Sequence, residues 1–236
     1  MLTKDQIKYF LSQNIIYKYN INEDNTVDVF QNVRIQTHQE ECPVKFGKVT
    51  GDFIINHCGL KSLKNMPSIV QGTFDCSEND IKNLVGGPLT VMRNYFCSHS
   101  GLITLEGVPE YIYGDLDISE NLLTNFKWAP KSVSKLINAQ KNNITDLNGI
   151  PYTNNDYINL NFNPIKKLNL KDLEHLDHNL TICFCDKNDI LIEFFESLYS
   201  IHKDLEISVA QIRKILLYHD MNQNFNLNPK KITLKI

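Results

Sequence analysis

The sequence lacks most of the short motifs that carry catalytic chemistry. It contains no Gly-rich phosphate loop, no nucleophile elbow and no Cys-x-x-Cys pair. A nucleotide-binding enzyme, a serine hydrolase or a dithiol oxidoreductase would carry one of these motifs, because each places the reacting groups at a fixed spacing. We therefore expect a protein that is not an enzyme and that uses no cofactor.

Long apolar runs and a large charge imbalance are also missing. No apolar run approaches the roughly 20 residues of a membrane-spanning helix, and charged residues interrupt the apolar part of residues 1–14, unlike a signal peptide. The formal net charge of −3 gives no general affinity for nucleic acid or for an anionic membrane. These features predict a cytoplasmic protein with no membrane contact and no direct nucleic-acid partner.

The chain has 10 Gly, 8 Pro and 6 Cys, and the prolines show a period. Five of them, Pro67, Pro88, Pro109, Pro130 and Pro151, each follow the last by 21 residues. Two apolar columns keep the same register, namely Leu60, Ile81, Leu102, Leu123, Ile144, Ile165 and Leu63, Leu84, Leu105, Phe126, Leu147, Leu168. A fixed short period of this kind indicates a solenoid of stacked units.

Each unit predicts a short strand followed by a turn. In Val70–Thr90, Phe74 and Cys76 alternate with polar residues, so both should point inward from one strand. Asn79 follows, and its amide can satisfy backbone groups that the turn leaves without partners. The equivalent positions, which we call the Asn column, are Cys58, Asn79, Ser100, Asn121, Asn142 and Asn163.

The pattern resembles the leucine-rich repeat of the 20–29-residue class. The amino-acid sequences of the units, such as GTFDCSEN and LEGVPEYIYGDL, are similar to those of repeat proteins encoded in tailed-phage and bacterial genomes. The resemblance implies an α/β repeat fold, a leucine-rich-repeat solenoid with one parallel sheet and capped ends. If a phage encodes the chain, the compartment would be the host cytoplasm.

Three regions follow from the pattern. Residues 1–48 are expected to form an N-terminal cap, with a helix over 3–14 that starts in a Thr3–Gln6 capping box and a hairpin or paired edge strand around Val27–Ile35. Residues 49–188 hold six regular repeats and a seventh after an insertion, with Cys183 and Cys185 at the inward strand positions. Residues 189–236 are expected to form a helical C-terminal cap, with one helix over 190–201 and another over 208–219 that begins at Ser208.

The cysteines are expected to be small buried apolar residues, because four of the six occupy expected core positions of the repeats. We therefore expect them to be reduced thiols and not a disulfide framework. Two other arrangements could bind a metal ion. Cys183 and Cys185 fall on one face of a strand, and His57, Glu78, His99 and Glu120 should stand in a line along the solenoid. Core packing explains the first arrangement, and a straight exposed row does not form a tetrahedral pocket, so no metal is expected.

The outward strand positions give the candidate binding surface. In a solenoid of this class they line an extended concave face that commonly binds partners. The face carries more acids than bases and several apolar side chains. Its partner-binding candidates are Asp52, Ile54, Asp75, Phe96, Asp115, Asp117, Leu136 and Tyr157.

The sequence therefore favours a non-enzymatic protein-binding module whose partner has a basic patch. The phage resemblance adds the hypothesis that the target is a host protein, such as a defence protein, which the chain inhibits. Two alternatives remain open: a structural or self-assembling protein, and binding through the C-terminal helices. The sequence does not predict the oligomeric state.

Overall fold

The computed structural model describes residues 2–36, 38–153, 157–165, 175–176, 180–184 and 205–208, with the backbone alone at 184 and 205–208. This part of the chain coils into a β-solenoid whose turns are about 21 residues long. Short parallel strands, one above the other in successive turns, form two sheets. No helix in the described part is both long and apolar enough to cross a membrane.

One helix and seventeen strands make up the described part. In chain order they are α1 (Lys4–Gln13), β1 (Tyr19–Ile21), β2 (Val27–Val29), β3 (Val33–Arg34), β4 (Phe46–Val49), β5 (Phe53–Ile54), β6 (Ile69–Val70), β7 (Phe74–Asp75), β8 (Thr90–Val91), β9 (Tyr95–Phe96), β10 (Tyr111–Ile112), β11 (Leu116–Asp117), β12 (Ser132–Val133), β13 (Ile137–Asn138), β14 (Tyr152–Thr153), β15 (Tyr157–Asn159), β16 (Thr181–Phe184) and β17 (Leu205–Ser208).

The two sheets have a simple order. Sheet A runs β1-β2-β4-β6-β8-β10-β12-β14, and sheet B runs β17-β16-β15-β13-β11-β9-β7-β5-β3. Only the two pairs at the ends of these orders, β1 with β2 and β16 with β17, are antiparallel among the described strands. Each regular turn therefore contributes one strand to each sheet, and the core lies between the sheets.

The predicted inward columns form that core. The first inward residues of sheet B pair directly from turn to turn, in the order Phe53, Phe74, Tyr95, Leu116, Ile137 and Ile158, and each is fully buried. The rings of Phe53 and Phe74 stack at 6.0 Å, and those of Phe74 and Tyr95 lie 5.2 Å apart. The two apolar columns of the turns are buried from Leu60 to Ile165; Leu168 lies outside the described residues.

The Asn column is confirmed for Asn121, Asn142 and Asn163, which are buried, whereas Asn79 is half-buried; each of these amides joins two turns. Asn121 is 5% exposed. Its Oδ1 accepts the N–H groups of Ser100 and Leu102, each at 3.0 Å. Its Nδ2 donates to the carbonyl of Cys97 at 2.9 Å in the preceding turn, and to those of Ile118 and Ser119 at 3.0 and 3.1 Å in its own turn. Asn142 and Asn163 repeat this arrangement.

The expectation of one parallel sheet is wrong, because the return segment of each turn forms strands of its own. Val49, Val70, Val91, Ile112 and Val133 occupy one inward column of sheet A and are fully buried or nearly so. These β-branched residues suit a half-buried pleated strand. The described part of the chain is thus a two-sheet parallel β-solenoid with little helix.

The N-terminal region differs from the prediction in part. Helix α1 has the expected capping box between Thr3 and Gln6. The antiparallel hairpin joins β1 and β2, whereas Val33–Arg34 pairs in parallel with Phe53–Ile54. The coil therefore extends into the segment assigned to the cap, because Val33 takes the place that Phe53 has one turn later.

The seventh strand of the repeats is displaced by one residue from the prediction. In β16, Ile182 pairs with Ile158 and Cys183 pairs with Asn159, so Ile182 and not Cys183 holds the first inward position. A one-residue shift of register exchanges the two faces of a strand. Cys185 and the helix predicted over 190–201 lie outside the described residues.

The predicted start of the last helix is also wrong. Ser208 is the final residue of strand β17, which pairs antiparallel with β16, so Ser208 is not a helix N-cap. The remainder of that predicted helix, residues 209–219, lies outside the described residues.

Candidate protein-binding surface on sheet B

The outward residues of sheet B form two continuous columns. The pairing of the strands places Ile54, Asp75, Phe96 and Asp117 side by side in four successive turns. Since neighbouring strands lie about 4.8 Å apart, Asp75 and Asp117 flank Phe96 and stand about 10 Å from each other. All four side chains are partly exposed, so the predicted register of this part of the surface is confirmed.

The neighbouring column holds Asn32, Asp52, Thr73, Asn94, Asp115, Leu136 and Tyr157, and it ties the turns together. Asp52 Oδ1 accepts the backbone N–H of Thr73 at 2.8 Å, and Asp115 Oδ1 accepts that of Leu136 at 3.1 Å. Asn32 and Asn94 accept the N–H groups of Asp52 and Asp115 in the same way, at 3.0 and 2.9 Å. Asp52 and Asp115 therefore link successive turns in addition to carrying charge, a role that the sequence analysis missed.

The carboxylates of Asp75 and Asp117 are held by hydrogen bonds from their own turns, and that of Asp117 also by one from the next turn. Asp75 Oδ1 accepts the N–H of Ser77 at 3.0 Å. Asp117 Oδ1 accepts the N–H and the hydroxyl of Ser119 at 2.9 and 2.6 Å, and its Oδ2 accepts a hydrogen bond from Asn138 at 3.2 Å. These bonds fix both side chains, so a partner would meet carboxylates that lose little conformational entropy on binding.

Three apolar candidates complete the surface. Ile54 lies beside Asp75, and Leu136 lies beside Asp115 and Tyr157 in the neighbouring column. All three are partly exposed and partly covered by the sheet. The apolar and acidic positions thus share one face, as the sequence predicts; binding at this face stays a prediction.

A row of left-handed residues borders this surface. The residue before each position of the Asn column has a positive φ between 52° and 60°, namely His57, Glu78, His99, Glu120, Lys141 and Phe162. Glycine adopts this conformation without strain and asparagine tolerates it, whereas most other residues pay roughly 1–2 kcal/mol there. Six turns in succession nevertheless carry a large side chain at this position, a feature that the repeat pattern alone did not reveal.

Side chains of the row make polar contacts from one turn to the next. His57 Nδ1 lies 3.3 Å from Glu78 Oε2, and His99 Nδ1 lies 3.5 Å from Glu120 Oε2. The hydrogen bond from Lys141 to Glu120, at 2.9 Å, is the main cause that lowers the pKa of the Glu120 carboxyl. Among the described residues, no group of three or more His, Cys, Asp or Glu side chains is arranged to hold a metal ion.

The described cysteines are buried and carry no disulfide. Burial raises the pKa of the Cys42 thiol to about 12 and raises the pKa values of Cys76 and Cys97 well above the ordinary range. These thiols stay protonated at neutral pH, and the thiolate is the nucleophilic form. They serve the core as apolar side chains.

Sheet A presents a second surface that the sequence analysis did not identify. Its outer side carries exposed apolar residues, which we call the sheet A patch: Ile69, Tyr111 and Tyr152 in the strands, and Met92 and Tyr113 directly after strands. The sequence does contain a signal for this surface, namely the column of β-branched residues that recur every 21 residues. The column indicates a second strand in each turn, and the residues on either side of each column member then point outward.

Comparisons of this chain with protein-family models, with curated proteins and with solved structures found no match.

Proposed function

We propose that this chain is a non-enzymatic protein-binding module that uses the outer face of sheet B to bind a basic patch on a protein partner. The observation that carries the proposal is the direct register of Asp75, Phe96 and Asp117 in three successive turns. An apolar side chain between two fixed carboxylates provides both an anchor and a charge for a complementary surface.

The two kinds of residue would act on different steps of binding. Asp52, Asp75, Asp115 and Asp117 place four negative charges on one face, where Arg34 is the only basic residue of the two columns within the described residues. Charge of one sign attracts an oppositely charged partner and raises the association rate. Phe96 would enter an apolar depression and slow dissociation, as buried aromatic anchors do.

The left-handed row supports the same face. Glycine or asparagine would relieve the strain at these positions, yet the chain has His, Glu, Lys and Phe there. Strained backbone concentrates at sites where a particular side chain is needed. We infer that the row is the rim of the binding surface.

The resemblance to leucine-rich repeats of tailed phages supports a narrower proposal. On that resemblance, the chain acts in the host cytoplasm and inhibits a host protein, such as a defence protein, by covering its basic site. This extension rests on analogy between repeat sequences.

A comparative capture experiment tests the proposal. The chain itself shows which substitution is harmless, because asparagine already occupies both acidic columns at Asn94 and Asn138, where it accepts the same kinds of hydrogen bond. A variant with Asp52→Asn, Asp75→Asn, Asp115→Asn and Asp117→Asn removes four charges and keeps the Oδ1 acceptor at each position; the one acceptor it loses among the described bonds is Asp117 Oδ2, which accepts from Asn138. We call it the four-Asn variant and expect it to lose a protein that the parent captures from a lysate of the natural host.

The matched control removes four charges elsewhere on the surface, by Asp5→Asn, Glu23→Gln, Asp80→Asn and Glu106→Gln. These residues are exposed and lie away from the two acidic columns. Retention of the partner by this control and its loss by the four-Asn variant would support the proposal. Equal capture by both variants would exclude the sheet B face as the binding surface.

A further inference from the structure

A tight four-residue turn recurs at one corner of the coil, before each strand of sheet A from β6 to β14. The N–H of its last residue donates to the carbonyl of its first at 2.9–3.2 Å, in Leu63–Met66, Leu84–Gly87, Leu105–Val108, Phe126–Ala129 and Leu147–Ile150. Its third residue has a positive φ in all five cases, namely Asn65, Gly86, Gly107, Trp128 and Gly149. A turn of this kind favours glycine or asparagine at its third position.

The last of these turns needs its glycine but not the residue before it. Gly149 has φ +82°, and a Cβ there would lie 3.1 Å from the carbonyl oxygen of Phe126. The second position of the turn accepts side chains of every kind, since the equivalents of Asn148 are Lys64, Val85, Glu106 and Lys127. Asparagine at 148 therefore answers no demand of the turn, and it creates the only Asn–Gly dipeptide of the sequence.

Both groups that could react in this dipeptide are accessible. Asn148 and Gly149 are exposed. Asp146 Oδ1 accepts the backbone N–H of Asn148 at 3.0 Å. Within the part of the chain that the structure describes, neither the side-chain amide of Asn148 nor the N–H of Gly149 makes a hydrogen bond. Glycine also places no side chain beside its own nitrogen, so that nitrogen can approach the amide carbon of Asn148.

We infer that Asn148 is a site of spontaneous deamidation in the folded chain. The Gly149 nitrogen attacks Cγ of Asn148, the bond from Cγ to the amide nitrogen breaks, and ammonia leaves with the proton that Gly149 gives up. The product is a five-membered cyclic imide. Water then adds to one of its two carbonyls: opening at Cγ gives aspartate, and opening at the backbone carbonyl gives isoaspartate. The net reaction consumes one water, releases one ammonia and transfers no electrons.

The two products should affect the turn differently. Aspartate adds a negative charge at a position where another turn already holds Glu106, so the fold should tolerate it. Isoaspartate routes the main chain through Cβ and lengthens it by one carbon between Leu147 and Ile150. Both of these residues are buried, and the hydrogen bond between them closes the turn. The isoaspartyl form should therefore unfold at a lower urea concentration than the parent.

Incubation of the full folded chain in warm buffer at neutral pH, followed by peptide mapping with mass spectrometry, tests the inference. The peptide that contains Asn148 should gain the mass difference between an amide and an acid, and chromatography should separate an aspartyl from an isoaspartyl product. Asn83 and Asn143 are also exposed but precede Leu84 and Ile144, so they should keep their amides over the same period.

The matched control is Asn148→Glu, which carries the charge of the aspartyl product and does not form the five-membered imide. Its mass and its urea midpoint should not change with time, whereas the aged parent should develop a second population with a lower midpoint. An aged parent that contains isoaspartate and keeps its midpoint would contradict the effect on the turn.

A synthetic peptide of residues 144–153, ITDLNGIPYT, provides the reference rate. If the peptide loses its amide while the folded chain retains the amide of Asn148, the folded turn blocks the reaction and the inference is overturned. Equal amide loss at Asn83, Asn143 and Asn148 would overturn it as well, because the reaction would then not depend on Gly149.

Discussion

At the scale of single residues, the Asn column is the main polar contribution to the interior. Each asparagine amide accepts hydrogen bonds from N–H groups of the preceding turn and donates to carbonyls of that turn and of its own turn. These bonds take the place of strand-to-strand backbone hydrogen bonds at the point where the chain leaves the strand. Where the column holds Ser100, the hydroxyl donates only to carbonyls, at 3.1 and 3.2 Å. Asn121 accepts the N–H groups of Ser100 and Leu102 in that turn, as Asn79 does for Cys58 and Leu60.

We expect Asn121→Leu to lower the free energy of unfolding by about 2–5 kcal/mol, because the N–H groups of Ser100 and Leu102 lose their acceptor while buried. Urea denaturation of the purified chain measures the change. Asn143→Leu is the control, since Asn143 is exposed beside the column and should shift stability by less than about 0.5 kcal/mol. Equal stability of both variants would show that the column contributes nothing.

Glycine at the strand entrance is linked to the acidic column. A Cβ at Gly114 would lie 2.3 Å from Asn94 Oδ1 and 2.6 Å from the backbone of Arg93. Gly72 stands in the same relation to Asp52. The side chain that accepts the next turn's N–H occupies the space that a methyl group would need.

Gly114→Ala should therefore destabilise the chain by about 1–3 kcal/mol, the usual cost of overpacking. Thermal or urea unfolding gives the value. Arg93→Ala is the matched control in the same column, because that position already carries a Cβ next to Thr73; its cost should stay below about 0.5 kcal/mol. A Gly114→Ala variant as stable as the parent would contradict the close contact.

At the scale of elements, the sequence predicts those strands in which inward and outward residues alternate and the pattern recurs in every turn. The strands of sheet B alternate inward and outward residues, and the Asn column marks their ends, so their register could be assigned. The strands of sheet A between β6 and β14 are two residues long. Each has a single inward residue in the strand, which leaves no alternation to detect.

The strands β16 and β17 were predicted wrongly for a different reason, because their local sequence fits more than one structure. Ile182, Cys183 and Phe184 are three apolar residues in a row, and such a run fits either register. Leu205–Ser208 alternates apolar and polar residues, but Ser208 also suits a helix N-cap, and the local sequence therefore predicts a helix from Ser208. The pairing with β16 decides in favour of the strand.

Helix α1 gives the clearest test at this scale. Its buried residues Ile7 and Leu11 join the core, whereas Tyr9 on the same helix is 68% exposed. Leu11→Ala should reduce stability by about 2–5 kcal/mol through the lost contacts and the cavity. Tyr9→Ala should have almost no effect in the same unfolding experiment. If Leu11→Ala is equally harmless, α1 does not help to stabilise the N-terminal end of the solenoid.

At the scale of the whole molecule, the two-sheet coil gives the described part of the chain two outer faces, and the four aspartates lie on the face of sheet B. The sequence was sufficient to place Asp75, Phe96 and Asp117 on one face, because they share the repeat register. It was not sufficient to show that their carboxylates are fixed by Ser77 and Ser119, nor that Asp52 and Asp115 link successive turns. Those bonds depend on atoms that only the folded chain brings together.

The fixed charges predict how salt should act on binding. The Debye length falls from about 10 Å at 0.1 M salt to about 3 Å at 1 M, so attraction between exposed charges is weakened. The association rate of the parent with its captured partner should therefore fall as salt is raised. The dissociation rate should change less, because the apolar contact of Phe96 is not screened.

The most direct measurement of the central claim, that the sheet B face is the binding surface, is the binding kinetics of two variants against the captured partner at low and high salt. The four-Asn variant should associate more slowly than the parent at low salt and should approach it at high salt. Phe96→Ala should dissociate faster, with a loss of at least about 2 kcal/mol in binding free energy. If both folded variants associate and dissociate like the parent at both salt concentrations, the sheet B face does not bind the partner.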